Sequence, residues 1–220
     1  MKATTMTIRH HLTNRLLMAY AAGNLPEAFN LVVATHVSLC DECRARLASF
    51  EAVGGAVLEE SESAPLSADS FAATLARIGA ALPEPPPPPR PAQRGLFPAP
   101  LADYVGGDLD AVKWRRAGSG VDQAILPTEK SATVRLLRIP PGVAVPDHGH
   151  RGLELTQVLQ GAFRDEVARF GPGDIEVADE SVQHTPVAEE GDICICLAAT
   201  DAPLRFRALM PRLAQPFLRI

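Results

Sequence analysis

The sequence predicts an α-then-β chain. A helical bundle of about four helices covers residues 1–83, a proline-rich linker 84–100, and an antiparallel β-barrel or jelly roll 101–220. Three observations predict this order. Apolar residues recur at helical spacing through the first eighty positions. Pro85–Pro89 and Pro91 then break the pattern. Beyond them, short β-rich runs alternate with turn signals rich in proline, glycine and aspartate, the texture of an all-β fold.

The first helix starts behind Thr13 as N-cap, carries Leu16, Leu17 and Tyr20 on one stripe, and stops at Gly23 as the C′ residue. Pro26 suits the first turn of the second, along which Phe29, Val32, Val33, His36 and Cys40 repeat at helical spacing. Arg44 to Leu58 forms a third, with Leu47, Phe50, Val53 and Val57 on one side. A fourth begins near Ser67 or Ser70 and aligns Phe71, Leu75, Ile78 and Leu82. That last apolar face packs either within the bundle or into a groove on a partner protein. The prolines that follow favour an extended polyproline conformation, and Pro85 to Pro91 would span roughly 20 Å as a semi-rigid spacer.

In the second half, Val134 to Ile139, Ile175 to Val177 and Ile193 to Leu197 are strand candidates. Pro140-Pro141-Gly142, Gly161, Gly171-Pro172-Gly173-Asp174 and Glu190-Gly191-Asp192 are the turns between strands. Trp114, the sole tryptophan, is expected in the core.

Composition narrows the function. The net charge is −5, with six Lys/Arg against eight Asp/Glu in residues 1–83 and thirteen against seventeen in 101–220. Neither half is basic enough to neutralise phosphates, so any role in transcription runs through a protein rather than through nucleic acid. No apolar run approaches the roughly 18 residues of a membrane span, and Met1–His11 lacks the apolar core of a leader. The cytoplasm is the expected compartment, where thiols stay reduced.

Reduced Cys40 and Cys43 are then metal ligands before they are a disulfide. His36 and Cys40 stand one helical turn apart, and Cys43 closes back at the next helix start. Thiolate and imidazole suit a tetrahedral zinc ion, whose fourth ligand comes from His10 or His11. His11, nearer the first helix, is preferred. A thioredoxin-like redox pair would need a β-α-β setting that this helical region lacks. Zinc here would be structural, because a unit of about eighty residues has a small core.

The second cluster is Gly142-x5-His148-x-His150-x3-Glu154-x6-Gly161, followed by His184 beyond Phe170-Gly171-Pro172-Gly173-Asp174. It resembles the first motif of the cupin fold, with the core of the second motif after it. Side chains two apart on a strand share a face, so His148 and His150 both point into the barrel. Glu154 follows across a short turn, and His184 is expected from a strand on the opposite side. Three imidazoles and a carboxylate leave open positions on Zn, Fe, Mn or Ni. Cys194 and Cys196 also share one strand face, either as small apolar core residues or as an oxidant-sensitive thiol pair.

His36-x3-Cys40-x2-Cys43 between helices, with a histidine upstream, resembles the zinc-binding anti-sigma domain. With a cupin behind it, the whole chain resembles the ChrR family of zinc anti-sigma factors. The resemblance implies a 1:1 complex with a group IV (extracytoplasmic-function) sigma factor, blocked from core RNA polymerase and released on oxidative stress, singlet oxygen in particular. It also implies zinc in the second site, and no catalysis. The competing reading is a cupin enzyme, such as a metal-dependent dioxygenase or isomerase, with a helical accessory unit.

Overall fold

The computed structural model describes residues 7–80, 95–118 and 120–206. Among these residues, five α-helices come first: α1 (Asn14–Ala21), α2 (Glu27–Leu39), α3 (Asp41–Glu59), α4 (Ser70–Ala80) and α5 (Ala99–Val105). Twelve strands follow: β1 (Arg115–Gly118), β2 (Val121–Leu126), β3 (Thr133–Ile139), β4 (His148–Gly149), β5 (Glu154–Gln160) and β6 (Phe163–Arg164) make the first six. The others are β7 (Arg169–Phe170), β8 (Ile175–Ala178), β9 (Gln183–His184), β10 (Val187–Ala188), β11 (Cys194–Thr200) and β12 (Arg205–Phe206). Leu82 and most of the proline stretch, 81–94, lie outside the described residues, as does 207–220.

Local chemistry places the helix ends where expected. The Thr13 side chain accepts the Leu16 amide, and Gly23 takes a positive φ just past the C-cap of α1. Cys40 is at once the C-cap of α2 and the N-cap of α3, its sulfur accepting the Cys43 amide. One residue therefore sets the corner between two helices.

Six strands form one antiparallel sheet in the order β1-β2-β3-β11-β5-β8. Two smaller sheets, β10-β6-β7 and β12-β4-β9, complete the barrel and bring β4 and β9 side by side, with His148 opposite His184. His184 thus comes from the strand next to His148 and not from across the barrel; the return of the chain through the small sheet pairs them directly. The motif glycine Gly161 sits at φ +68°, and a Cβ there would lie 2.8 Å from the Ile193 carbonyl oxygen. Only glycine fits that turn between β5 and β6.

The large sheet is buried on both faces, and its alternation divides two cores. Val134, Leu136, Leu155, Leu159, Ile175, Ile195 and Leu197 point outward and join Leu17, Phe29, Val32 and Leu47 of the helices in one continuous cluster. Val121, Ile139, Val158, Cys194 and Cys196 point inward and meet Phe163 and Phe170. Helix α2 lies against β3, β5 and β11, and α5 lies against α2. Phe97, at the end of the segment expected as linker, is buried in the same helix-facing cluster. The helical unit and the barrel are therefore joined by a shared core as well as by the chain between them.

A polar latch closes the joint beside that core. One Asp174 carboxylate oxygen accepts the Arg9 and His10 amides at 2.6 and 3.0 Å, and the other accepts the Gly171 amide at 2.8 Å. His10 adds its carbonyl to the Ile175 amide and a ring contact with Phe170, whose centroid lies 4.4 Å away. Helix α4 shows the opposite behaviour. None of its residues is buried, and Phe71 and Ile78 are 76% and 66% exposed. Val53, Val57 and Leu58 on the last turns of α3 are exposed with it.

Asp174→Ala removes a buried carboxylate that three backbone amides share, so it should lower unfolding stability by about 2–4 kcal/mol in denaturant titrations. Because the core is shared, helix circular dichroism and Trp114 fluorescence should report one coincident transition in the parent chain.

Candidate metal centres

The first centre forms where three chain segments meet. His11 lies just before α1, His36 on the last turns of α2, Cys40 at the corner and Cys43 in the first turn of α3. One donor atom from each lies within 4.8 Å of the other three. His11 Nδ1 is 3.3 Å from Cys40 Sγ and 3.8 Å from Cys43 Sγ, while its Nε2 faces a Glu42 carboxylate oxygen at 3.3 Å. That carboxylate would hold the Nε2 proton and leave Nδ1 as the lone-pair donor. His10 turns away, its Nε2 3.0 Å from the Arg169 carbonyl oxygen. Its neighbour His11 is the histidine brought into the cluster.

Electrostatics show what the pocket wants. His36 is fully buried and neither ring nitrogen has a hydrogen-bond partner among the described residues. Burial, with His11 nearby, lowers its pKa to about 4, so it is a neutral imidazole with an unused lone pair. Burial likewise pushes the Cys43 thiol up to about 11. A divalent cation would supply the positive charge that both thiolates need and use the orphaned His36 nitrogen. Two sulfurs and two imidazole nitrogens are the donor set of a closed tetrahedral site.

The second centre lies inside the barrel. His148, His150 and His184 are buried, with donor nitrogens within 4.8 Å of one another and ring centroids 4.7 to 5.3 Å apart. His148 Nδ1 donates to the Pro146 carbonyl at 2.8 Å. His184 Nδ1 faces Glu176 at 3.0 Å and Asp165 at 3.4 Å. Both rings thereby turn Nε2 inward, and the two Nε2 atoms stand 3.2 Å apart. Two inward lone pairs at that distance repel unless a proton or a metal cation bridges them. Burial opposes charge on His184, but the carboxylates override it and raise its pKa to about 8. Burial lowers that of His148.

His150 is the second buried imidazole with no hydrogen bond to either nitrogen. Glu154 Oε2 is 3.3 Å from its Nδ1, close enough for ion pairing but poorly aligned for a hydrogen bond. Burial works against ionisation of Glu154, yet His150 and His148 prevail and hold it down to about 2. Glu154 stands at the edge of the three-imidazole group, beside His150, with Thr156 donating to its other oxygen at 3.0 Å. The donor chemistry fits a metal ion held by the three histidines with the carboxylate alongside.

Two residues here were not singled out from the sequence. Glu176 and Asp165 form a further compact group with His184 and orient its ring. Glu176 had a readable signal: between Ile175 and Val177 on a strand, it must face the side opposite to them. Asp165 accepts the Val167 and Ala168 amides and turns the β6–β7 hairpin, a role indistinguishable from that of any turn aspartate. Nearby on β11, Cys194 and Cys196 are buried free thiols with their sulfurs 3.5 Å apart.

Known proteins match this arrangement along the whole chain. Residues 103–202 match a family described as the ChrR cupin-like domain. The anti-sigma-E factor ChrR of Cereibacter sphaeroides is 62% identical over 215 residues, which is 98% of this chain and all of that protein. The crystal structure of Rhodobacter sphaeroides SigE in complex with the anti-sigma ChrR matches with a TM-score of 0.79 and 60% identity, over 89% of this chain and all of that one. Similarity of that extent, covering both the helical unit and the barrel, makes the assignment: the chain belongs to the ChrR family.

Proposed function

We propose that this chain is an anti-sigma factor. Its N-terminal unit, taken as residues 1–83, holds a group IV sigma factor in a 1:1 complex and keeps it from core RNA polymerase. The cupin unit, taken as 101–220, weakens that hold under oxidative stress, with singlet oxygen the expected signal. The observation that carries the reading is the unpartnered apolar surface of α3 and α4. Val53, Val57, Leu58, Phe71, Leu75 and Ile78 are all exposed on one helical unit. Apolar helix faces left exposed in this way mark docking surfaces, by which amphipathic helices engage partner proteins. The match to a sigma-bound relative supplies the kind of partner.

Zinc fits the first centre, held by His11, His36, Cys40 and Cys43. It would fix the corner of α2 and α3 and so fix the direction in which the apolar face is presented. Zinc is also assigned to the second centre, held by His148, His150, His184 and Glu154. The chain acts in the cytoplasm on this reading, where Cys40 and Cys43 stay reduced. No described helix is long and apolar enough to cross a membrane. Its role is regulatory and not catalytic. The enzyme alternative gives way to an anti-sigma relative that aligns from end to end.

A signal in the barrel can release the partner only by changing the free energies of the bound and free states unequally. The sheet offers the route. Strands β5 and β11 carry Glu154, Cys194 and Cys196 on the inner face and Leu155, Ile195 and Leu197 on the face that packs against the helices. A shift of the inner residues is felt by α2 without any intermediary.

Three outcomes test this. Leu75→Asp with Ile78→Asp should leave fold and metal content unchanged, since both residues are exposed. It should weaken sigma binding roughly 30-fold or more in calorimetry. Cys40→Ser or Cys43→Ser should drop metal content by one ion per chain in mass spectrometry and abolish co-purification of the sigma factor. His148→Ala or His184→Ala should preserve repression of a reporter gene while blunting its induction by singlet oxygen. Constitutive expression would instead make the barrel part of the grip on the partner.

A further inference from the structure

The barrel holds more than its metal centre. A cavity of about 380 Å³ lies on the inner face of the large sheet, reaching from the histidines to β2 and β3. That volume is in the range of small-molecule sites and has room for roughly a dozen non-hydrogen atoms. Protein interiors are close-packed, so space of this size needs a cause. Small residues supply it: Ala198 on β11, with Ala117 and Gly118 on β1, stand on the lining where larger side chains would close the gap. Val121, Leu137, Ile139, Val145, Phe163 and Phe206 make the rest of the wall apolar.

The polar side chains on the lining are already committed to one another. Thr156 donates to Glu154 at 3.0 Å, and the other oxygen of Glu154 stands 3.3 Å from His150. Glu176 holds His184 at 3.0 Å, and the Pro146 carbonyl holds His148 at 2.8 Å. Arg135 donates to Gln123 at 3.2 Å, and the Glu154 carboxylate favours its charge. The sulfurs of Cys196 and Cys194 lie 3.5 Å apart, and Thr200 donates to the Ala202 carbonyl at 2.8 Å. Positive and negative groups answer each other within the wall.

That balance selects the ligand. A molecule bringing a charge of either sign would give up its water and meet side chains whose partners are already in place. One that brings only carbon loses no hydrogen bond on entry and gains the apolar wall. The structure assigns this cavity as a binding site for a compact, uncharged, hydrocarbon-like molecule, held by the Leu137, Ile139 and Phe206 walls and not by the metal-type donors. The assignment is independent of the sigma-factor reading, because it concerns only the barrel interior.

Titration calorimetry on the full, zinc-loaded chain tests it with toluene, which has no atom for a metal ion to coordinate. Benzoate and benzylammonium serve as its anionic and cationic counterparts. Toluene should bind at least about tenfold more tightly than either charged probe. Ala198→Leu, which fills the cavity from β11, should weaken toluene binding about tenfold or more and leave metal content unchanged. Ala117→Leu fills it from the edge strand β1, should act in the same direction, and serves if the first variant does not fold. No toluene binding to the parent chain overturns the proposal, and so does toluene affinity that survives the filled variants. Benzoate or benzylammonium binding as tightly as toluene overturns it too, because a charged group of the wall or the metal centre would then be the receptor.

Discussion

Burial of one β-sheet on both faces is the constraint on which the rest of this protein depends. A strand sends successive side chains to opposite sides, so each residue of β3, β5 and β11 belongs to one of two cores. The outer set holds the α1–α3 unit through α2, and the inner set builds the barrel with its histidines and its cavity. Neither core can be repacked alone. Interiors are packed at crystal-like density, and moving a strand to suit one face displaces the other. That physical economy lets a single short sheet connect a chemical site to a protein-binding surface.

The two candidate metal centres would complete what the cores leave unfinished. Buried polar groups are normally hydrogen-bonded. Among the described residues, the buried imidazoles without a well-formed hydrogen bond, His36 and His150, each sit inside a cluster of metal-type donors. Burial favours neutral His36 and protonated Cys43 in the absence of a cation, so a metal ion bound there would link its binding to the folding of the helical unit. In the barrel, Glu176 and Asp165 secure His184 from behind, and the Pro146 carbonyl secures His148. These outer contacts fix which nitrogen faces the centre before any ion arrives.

Much of this was legible in the sequence where the signal is local. His36 and Cys40 at i, i+4, the corner cysteine pair, the glycine-framed histidine motif and the period of each helix all report neighbours close along the chain. Their structure follows those spacings. The choice between His10 and His11 was less secure, because it depends on contacts of His10 with Arg169 and Phe170 far along the chain. The shared core was not legible for the same reason. Periodicity says that one face of α2 is buried but not that β5 and β11 cover it. The pairing of β4 with β9 involves two-residue strands too short to leave a pattern, which is why His184 was expected across the barrel. Asp174 read as a turn residue and proved to be the latch between the two units. Helix α4 left its packing open in the sequence, and the structure gives it no intramolecular cover among the described residues.

Native-state hydrogen exchange on the parent chain and on His150→Ala tests the central claim most directly, since that substitution is made inside the barrel, where His150 meets Glu154 at the start of β5, and touches no residue of the helix-facing core. If the sheet transmits strain between its two cores, amides of β5, β11 and α2 should lose protection together, by comparable factors. Loss of protection that stops at the barrel strands, with α2 unchanged, would contradict the account and leave the two units mechanically separate.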